Sequence, residues 1–369
     1  INQRDQNYES FMPFINATQK DKGIFADQYT GVYPARDIWV INYSKENVIK
    51  NANKLVQNYN DEINRLSHIS DGKERADRVN RSESFIKWSA GLIRKFRNAE
   101  VINLEENVIQ IMHRPFTKKW IIYDTNIIER PSRYQYIHDN MGKVLYVQGQ
   151  GMTREFSCLA TDTIPNLQLI GNGKGFPQYA GYDSLGEVSN INDYFLKEMN
   201  FNYDEAFYYI YGVLHSQYYR EKYAHDLSKD FPRIPTLKNW KEFLTIGEKL
   251  ANLHLNYENI EPYQGVKIEK AEKPSYYVKK MVHPKRNQRD VIIFNEDITI
   301  SEIPEKAYEY MVNGKPAIQW IMEQYQYNKD KNTGIVDDPN LYSDDEKYIF
   351  NLLLSIINVS VQTVDLINS

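Results

Sequence analysis

The segment Tyr208–Pro235 constrains the fold of this chain most, because it predicts two helices followed by a fixed stop. The first helix begins near Asp204 and Glu205, where carboxylates suit the positive end of the helix dipole, and its apolar residues recur at helical spacing. Ser216 is a suitable N-cap for the second helix. The prolines at its end stop it, because proline lacks an amide donor and pushes the preceding residue out of the helical region. We expect a packed helical pair whose tyrosines are mostly core. Its available phosphate contacts are Arg220, Lys222 and Arg233.

Helical periodicity and short β-branched or aromatic runs alternate along the rest of the chain. A polar stretch at 67–81 predicts a loop. Predicted helices cover 44–66, 82–98, 237–255, 316–325 and 347–367, and predicted strands cover 38–43, 108–112, 120–123, 144–148, 276–282 and 291–294. The strands fall into two blocks separated by helices. We therefore predict an α+β fold of mixed helices and short antiparallel strands.

Composition places the chain among soluble globular proteins. It has 369 residues, of which 41% are hydrophobic and 25% charged, and no apolar run approaches the roughly 18 residues that cross a bilayer, so no membrane partner is expected. The single cysteine, Cys158, excludes an internal disulfide framework and a cysteine-rich zinc site. We expect a cytoplasmic protein. Because the sequence opens without a methionine, we also expect a piece of a longer polypeptide.

Several catalytic motifs are missing from the sequence. There is no Asx-Pro-Pro-aromatic loop of the kind that holds a flipped base amine, and no GxxxxGK[ST] phosphate loop. The run Gly171–Gly175 is followed by Phe-Pro and not by a helix whose N-terminus could face a phosphate. Acidic runs at 302–306 and 344–347 are typical of solvated helix faces, and the seven histidines lack metal-ligand spacing. We therefore expect no catalysis and no cofactor in this segment.

Three clusters combine basic and aromatic residues, which suits phosphate contact and base stacking. A net charge of −4 excludes bulk coating of nucleic acid but not a local basic surface. The first cluster is more typical of a turn between strands, and the third could equally be the solvated tip of a hairpin. The 29 tyrosines favour an interface, or simply an A/T-rich coding sequence. The candidate DNA-binding residues are Arg114, Lys118 and Lys119 in the first cluster, Arg130, Arg133 and Tyr134 in the second, and Tyr277, Lys279, Lys280, Lys285, Arg286, Asn287 and Arg289 in the third, where Asn287 or Arg289 could contact base edges.

Four blocks in chain order resemble type ISP restriction–modification enzymes, single-chain proteins with nuclease, helicase and adenine methyltransferase domains. One block is the helical pair with its prolines described above. The others are Gln3-Arg4-Asp5 with Thr30–Ser44, then His113–Asp124 with Arg130, and Val312–Tyr325 with Thr333-Gly334-Ile335 and Asp338-Pro339-Asn340.

The resemblance implies that residues 1–45 end an adenine methyltransferase domain, that 46–100 form a helical connector, and that 101–369 form a DNA target recognition domain. This module would recognise double-stranded DNA in a bacterial phage-defence enzyme and position it for adenine-N6 methylation by the upstream domain. The resemblance also implies that the parent enzyme uses S-adenosylmethionine, ATP and Mg²⁺, and that the upstream methyltransferase and helicase domains are partners within the polypeptide.

Two other functions stay open from the sequence. The chain could be a stand-alone or degenerate DNA methyltransferase or nuclease. It could instead be a protein-interaction scaffold whose tyrosines contact another domain.

Overall fold

The computed structural model describes residues 5–137, 139–184 and 186–369. Gln3 and Arg4 of the first sequence block therefore lie outside the described residues. The α-helices α1 to α12 are Gln6–Ser10, Asp37–Val40, Lys45–Arg65, Gly72–Asp77, Ala90–Arg97, Asp193–Met199, Tyr203–His215, Gln217–Lys222, Ala224–Lys229, Trp240–Leu255, Ala317–Gln324 and Tyr348–Ile367. Short 3₁₀ turns cover Lys20–Lys22, Arg133–Tyr136, Tyr257–Asn259, Glu305–Tyr308 and Pro339–Leu341.

The strands are short and mostly antiparallel. In chain order, β1 to β19 are Met12–Pro13, Tyr29–Thr30, Ile41–Asn42, Val108–Arg114, Thr117–Ile122, Val144–Val147, Cys158–Thr161, Ile164–Pro165, Lys174–Pro177, Tyr179–Asp183, Gly186–Ser189, Arg233–Ile234, Lys267–Lys270, Ile292–Ile293, Ile298–Ser301, Met311–Val312, Lys315–Pro316, Asn328–Lys329 and Val336–Asp337. Together with the helices they confirm the predicted α+β class.

Two four-stranded sheets form the framework. Their strand orders are β2-β9-β6-β7 and β3-β5-β4-β8. All of these pairs are antiparallel except β4 with β8, where Ile111 pairs with Ile164. Strands from the first 45 residues pair with strands beyond residue 100: β1 with β12, β2 with β9, and β3 with β5. The first 45 residues are thus joined to the rest by hydrogen bonds, and their assignment to a methyltransferase domain stays a prediction.

The first helix of the predicted pair is α7, whereas the predicted second helix is divided at Tyr223 into α8 and α9. Asn202 and Glu205 make a capping box at the start of α7, and Ser216 caps α8 through the amide of Tyr219. Helix α7 crosses α10 at very short range, since a Cβ on Gly212 would lie 2.0 Å from the Phe243 carbonyl oxygen. Most tyrosines of this segment are core residues, including Tyr209, Tyr211, Tyr219 and Tyr223.

The C-terminal helix α12 is a core helix. Within the part of the chain that the structure describes, it is the helix long and apolar enough to cross a membrane, and 67% of its most apolar window is buried inside the fold. A search of the sequence for uninterrupted apolar runs did not find this helix, because polar residues such as Asn351 and Ser355 interrupt it. Its buried face includes Leu353, Ile356 and Ile357, which belong to the largest hydrophobic cluster.

Four other sequence predictions of local structure were wrong or incomplete. The predicted strand at 38–43 begins as the helical turn α2, and the predicted loop at 67–81 contains α4, capped by Asp71. The predicted helix at 82–98 starts only at Ala90, where Ser89 provides the cap. The segment 276–282 is not a strand. Its Val278 amide bonds to a side chain, and only Val282 forms a bridge, with Ile293.

Candidate nucleic-acid interface

The first basic cluster surrounds the β4–β5 hairpin turn, one of the two alternatives left open by the sequence. Phe116 adopts a positive φ of 56° in this turn and is completely buried, 5.2 Å from the ring of Tyr257. This conformation is uncommon for an aromatic residue, and burial of the ring offsets its cost. The turn therefore fixes the hairpin onto the core.

The cations of the first cluster are held by contacts within the fold. Arg114 donates to the His113 carbonyl oxygen and, at 3.3 Å, to Asn166. Lys118 pairs with Glu258 at 2.8 Å, and Lys119 pairs with Asp337 at 2.6 Å. Both lysines are largely buried, so phosphate contact would require breaking these pairs. We correct their assignment from DNA contacts to structural ion pairs.

The second cluster divides between core and surface. Tyr134 is completely buried against Tyr29 at 5.3 Å, so it cannot touch a duplex, and its assignment as a DNA contact is corrected. Arg133 is exposed but pairs with Asp27 at 2.9 Å. Arg130 is exposed, and no carboxylate among the described residues forms an ion pair with it.

Lys174 joins Arg130 and was missed by the sequence reasoning. Its ammonium group donates to Thr30 Oγ1 at 2.7 Å. Burial lowers the pKa of Lys174, and the nearby charge of Arg130 lowers it further. The Glu129 carboxylate also interacts with the charge of Arg130, but neither Arg130 nor Lys174 forms an ion pair in the described part of the chain, so the two neighbouring cations attract a phosphate. We name Arg130 and Lys174 the basic pair.

The sequence feature that could have identified Lys174 is its position inside the glycine run 171–175. That run does not form a phosphate loop, because Lys174–Pro177 is strand β9, hydrogen-bonded to β2 and β6. A Cβ at Gly175 would lie 2.0 Å from the Tyr134 hydroxyl oxygen. This glycine is therefore needed for close packing of Tyr134 beneath the strand.

The third cluster is a surface loop of residues 276–290, here called the basic loop. Val278 and Met281 anchor it in the core. Asp290 is the sole acidic residue within it. The exposed members of the candidate set are Tyr277, Lys279, Lys280, Lys285, Arg286, Asn287 and Arg289. Within the described ranges, none of the loop's lysines or arginines forms an ion pair, so their charge faces solvent.

The Asp338-Pro339-Asn340 motif holds the base of the basic loop. Asn340 accepts from the Val278 amide and donates to the Val278 carbonyl oxygen, both at 2.8 Å. The Tyr277 hydroxyl donates to the Asp338 carboxylate at 3.1 Å. The sequence identified this motif as a family block but gave no indication of its role. Its residues position the exposed cations without contacting them.

Residues that are far apart in sequence meet beside the Asp338-Pro339-Asn340 motif. The Tyr43 amide donates to Asp337 at 3.0 Å, and Lys119 pairs with the other oxygen of the same carboxylate. Asn42 donates to the Val336 carbonyl oxygen at 2.9 Å. The base of the basic loop, the first sequence block and the β4–β5 hairpin are therefore joined by hydrogen bonds and one ion pair.

Metal chemistry finds no support in these residues. In the ranges that the structure describes, no group of three or more His, Cys, Asp or Glu side chains could hold a metal ion. Three buried histidines, His113, His215 and His254, have lowered pKa values because burial disfavours their charged form. They are neutral core residues at pH 7.

The family model of the Type ISP C-terminal specificity domain matches residues 23–352. The chain belongs to this family. Among solved structures, a nuclease-deletion mutant of the Type ISP restriction–modification enzyme LlaGI, in complex with a DNA substrate mimic, is 41% identical with a TM-score of 0.90. The ATP-dependent Type ISP enzyme LlaBIII bound to DNA is 36% identical with a TM-score of 0.89, and DrdV in a DNA complex is 25% identical with a TM-score of 0.85.

These structures also show how much of a longer protein this specificity domain represents. The alignments cover 100%, 100% and 99% of this chain, but 29%, 24% and 38% of LlaGI, LlaBIII and DrdV respectively. The chain thus spans well under half the length of each. No curated protein sequence matches it.

Proposed function

We propose that this chain recognises double-stranded DNA and positions a target adenine for methylation by a preceding methyltransferase domain. The observation that carries the proposal is the basic loop: exposed lysines and arginines without ion-pair partners in the described structure, held on a rigid base. LlaGI, LlaBIII and DrdV were solved with DNA or a DNA mimic bound. Their similarity to this chain supports the same class of ligand.

The basic loop offers two kinds of contact. Lys279, Lys280 and Lys285 can neutralise phosphates, which gives affinity and register without sequence information. Asn287 and Arg289 can form paired hydrogen bonds with base edges in the major groove. Arg289 lies 5.0 Å from the ring of Tyr308, which limits the directions in which its guanidinium can point. A pre-positioned guanidinium loses less entropy on binding.

The basic pair would form a second point of attachment. Lys174 lies in β9, which pairs with β2, and Arg130 forms an isolated bridge with Tyr33, so both lie beside the first sequence block and away from the basic loop in sequence. A duplex held at two points cannot pivot, so its target base would keep a fixed distance from the preceding domain. Both surfaces are local, which agrees with a negative net charge for the whole chain.

Methylation, ATP hydrolysis and DNA cleavage are proposed for the parent polypeptide only, in the bacterial cytoplasm, as part of phage defence. S-adenosylmethionine, ATP and Mg²⁺ would be bound by its upstream domains. The glycine run at 171–175 does not fit a cofactor phosphate, since Lys174 and Gly175 belong to strand β9 and Gly173 packs closely against the Val147 carbonyl oxygen. The chain's own residues would bind and orient DNA, and the base would be flipped into the upstream domain.

A salt-titrated DNA-binding assay tests this function. The chain should bind duplex DNA with an affinity that falls steeply with salt, because phosphate contacts release counterions. Selection from a random duplex pool should enrich one sequence. Salt-independent binding to another protein domain, with no DNA affinity, would instead establish a protein scaffold. Methyl transfer or cleavage by the 369-residue chain alone would establish an enzyme.

A further inference from the structure

A large cleft opens beside the helical pair, on a part of the fold that the DNA contacts proposed above do not use. Its volume is about 960 Å³, which exceeds that of a nucleotide. Five segments line it: residues 151–156, His215 at the end of α7, the α8–α9 region, Glu309–Met311 and the end of α12. Most core packing in this molecule is close, so a cleft of this size is a distinct feature of the fold.

The cleft contains two buried polar groups that lack partners in the described structure. His215 is 2% exposed, and its Nδ1 lies 2.9 Å from the Tyr211 carbonyl oxygen, which fixes the proton on Nδ1. Its Nε2 then presents a lone pair with no hydrogen-bond donor. Tyr310 is 4% exposed, and its hydroxyl also has no partner. Other buried polar atoms among the described residues also lack a partner, but these two belong to residues that line the same cleft, where a ligand would supply the missing hydrogen bonds.

Arg220 adds a cation beside these groups. It is half-buried, contacts Cys158 Sγ at 3.6 Å and lies 5.7 Å from the ring of Phe156. No carboxylate pairs with it in the described part of the chain. Arg154 and Lys229 add positive charge nearer the rim. The rim also carries the exposed carboxylates Glu155, Glu221 and Glu309, which offset these two exposed cations, so the less exposed Arg220 is the main positive group of the cleft.

The chemistry of these walls selects a ligand class. Arg220 suits a phosphate, His215 Nε2 accepts from an N–H or O–H group, and the Tyr310 hydroxyl can donate or accept. Phe156 and Met152 provide an apolar wall for a flat ring. The geometry points to a nucleotide-binding site in this cleft, with the phosphate at Arg220 and the base against Phe156.

Two sources could supply the nucleotide. One is a free mononucleotide, and this source is independent of DNA recognition. The other is a nucleotide displaced from a bound duplex, which rests on the proposed function. Tyr308, two residues before Tyr310, donates its hydroxyl to the Arg289 carbonyl oxygen, so the cleft wall and the basic loop are connected.

Calorimetric titration of the chain with adenosine 5′-monophosphate, adenosine and inorganic phosphate tests the site. The monophosphate should bind at least tenfold more tightly than either fragment. Arg220→Gln should weaken it at least tenfold. Since Arg220 also contacts the core, Met311→Trp provides a second variant, because Met311 is 40% exposed and lines the cleft. It should abolish binding, whereas Leu341→Trp, at a 54% exposed position outside the cleft, should not.

A duplex with one unpaired nucleotide, compared with its fully paired form, separates the two sources. Tighter binding of the unpaired form that is lost in Met311→Trp assigns the site to displaced DNA, and monophosphate binding without such a preference assigns it to free nucleotides. Neither monophosphate binding nor a preference for the unpaired form would overturn the site. Binding that Met311→Trp leaves unchanged would overturn it too. Affinity for the paired duplex reports separately on the proposed DNA function.

Discussion

Removing charge from the basic loop should weaken DNA binding in a way that salt reveals. The perturbation is Lys279, Lys280, Lys285 and Arg286 to alanine, four exposed cations without ion pairs in the described structure. Each phosphate neutralised contributes about 0.9 to the slope of log K against log salt concentration, so the slope should flatten by up to about 3.6. Over a fourfold range of salt, that difference corresponds to about 150-fold in affinity. Fluorescence anisotropy of a labelled duplex, measured from low to physiological salt, gives both quantities.

A matched control separates local from global charge. Lys50, Lys73, Lys238 and Lys249 are also exposed, lie on other parts of the surface and remove the same charge when changed to alanine. This control should keep nearly the full slope, because only cations at the interface release counterions. Equal flattening in both variants would mean that bulk charge drives binding. An unchanged slope in the loop variant would remove the loop from the interface.

Three further predictions concern the contacts and the stability of the fold. Asn340→Ala should raise hydrogen exchange within the basic loop and weaken DNA binding while leaving the melting temperature within a few degrees, because two hydrogen bonds to Val278 are lost locally. Gly314→Ala should lower the free energy of unfolding by about 1 kcal/mol, as Gly314 has a φ of 77° in the two-residue turn between β16 and β17. Stability should fall below about pH 6.5, where the unfolded chain protonates histidines that stay neutral in the core. Burial lowers the pKa of His254 to about 3, so His254→Gln should reduce that pH slope by about 1.4 kcal/mol per unit in chemical denaturation between pH 6 and 4.

Each of these three has a result that would contradict it. Unchanged exchange in the loop of Asn340→Ala would mean that other contacts hold its base. A fully stable Gly314→Ala would mean that the turn relaxes without strain, and an unaltered pH slope in His254→Gln would mean that His254 is protonated in the folded state.

Local rules in the sequence were sufficient for the long helices and for the first helix of the pair, but not for the division of the second helix at Tyr223. Lys45–Arg65 and Trp240–Leu255 have strong helical periodicity, and Ser44 and Ser216 cap the helices that they were expected to begin. Most tyrosines of the pair were correctly predicted as core, although Tyr218 is 69% exposed. The segment 276–282 was predicted as a strand because it is rich in tyrosine and valine, which favour strands. Its backbone instead bonds to Asn340, 62 residues away, a contact that no local pattern can reveal.

The candidate DNA-binding residues were harder to predict than the fold, for a physical reason. A lysine in a basic run carries the same charge whether it faces solvent or a buried carboxylate. Lys119 and Lys279 each lie in a basic run of the sequence. Asp337 pairs with Lys119, whereas Lys279 is exposed and forms no ion pair in the described structure. Lys174 was overlooked because Arg130, its partner in the basic pair, lies 44 positions away along the chain. Only the pairing of β2 with β9 brings that region of the sheet together.

Hydrogen–deuterium exchange of the chain with and without its selected duplex tests the central claim most directly. DNA contact at the basic loop and the basic pair predicts slower exchange in residues 276–290 and around Arg130 and Lys174, with little change on the faces of α3 and α10 that point to solvent. Protection confined to other surfaces, or no protection at saturating duplex, would contradict the assignment of this chain's DNA-binding surface.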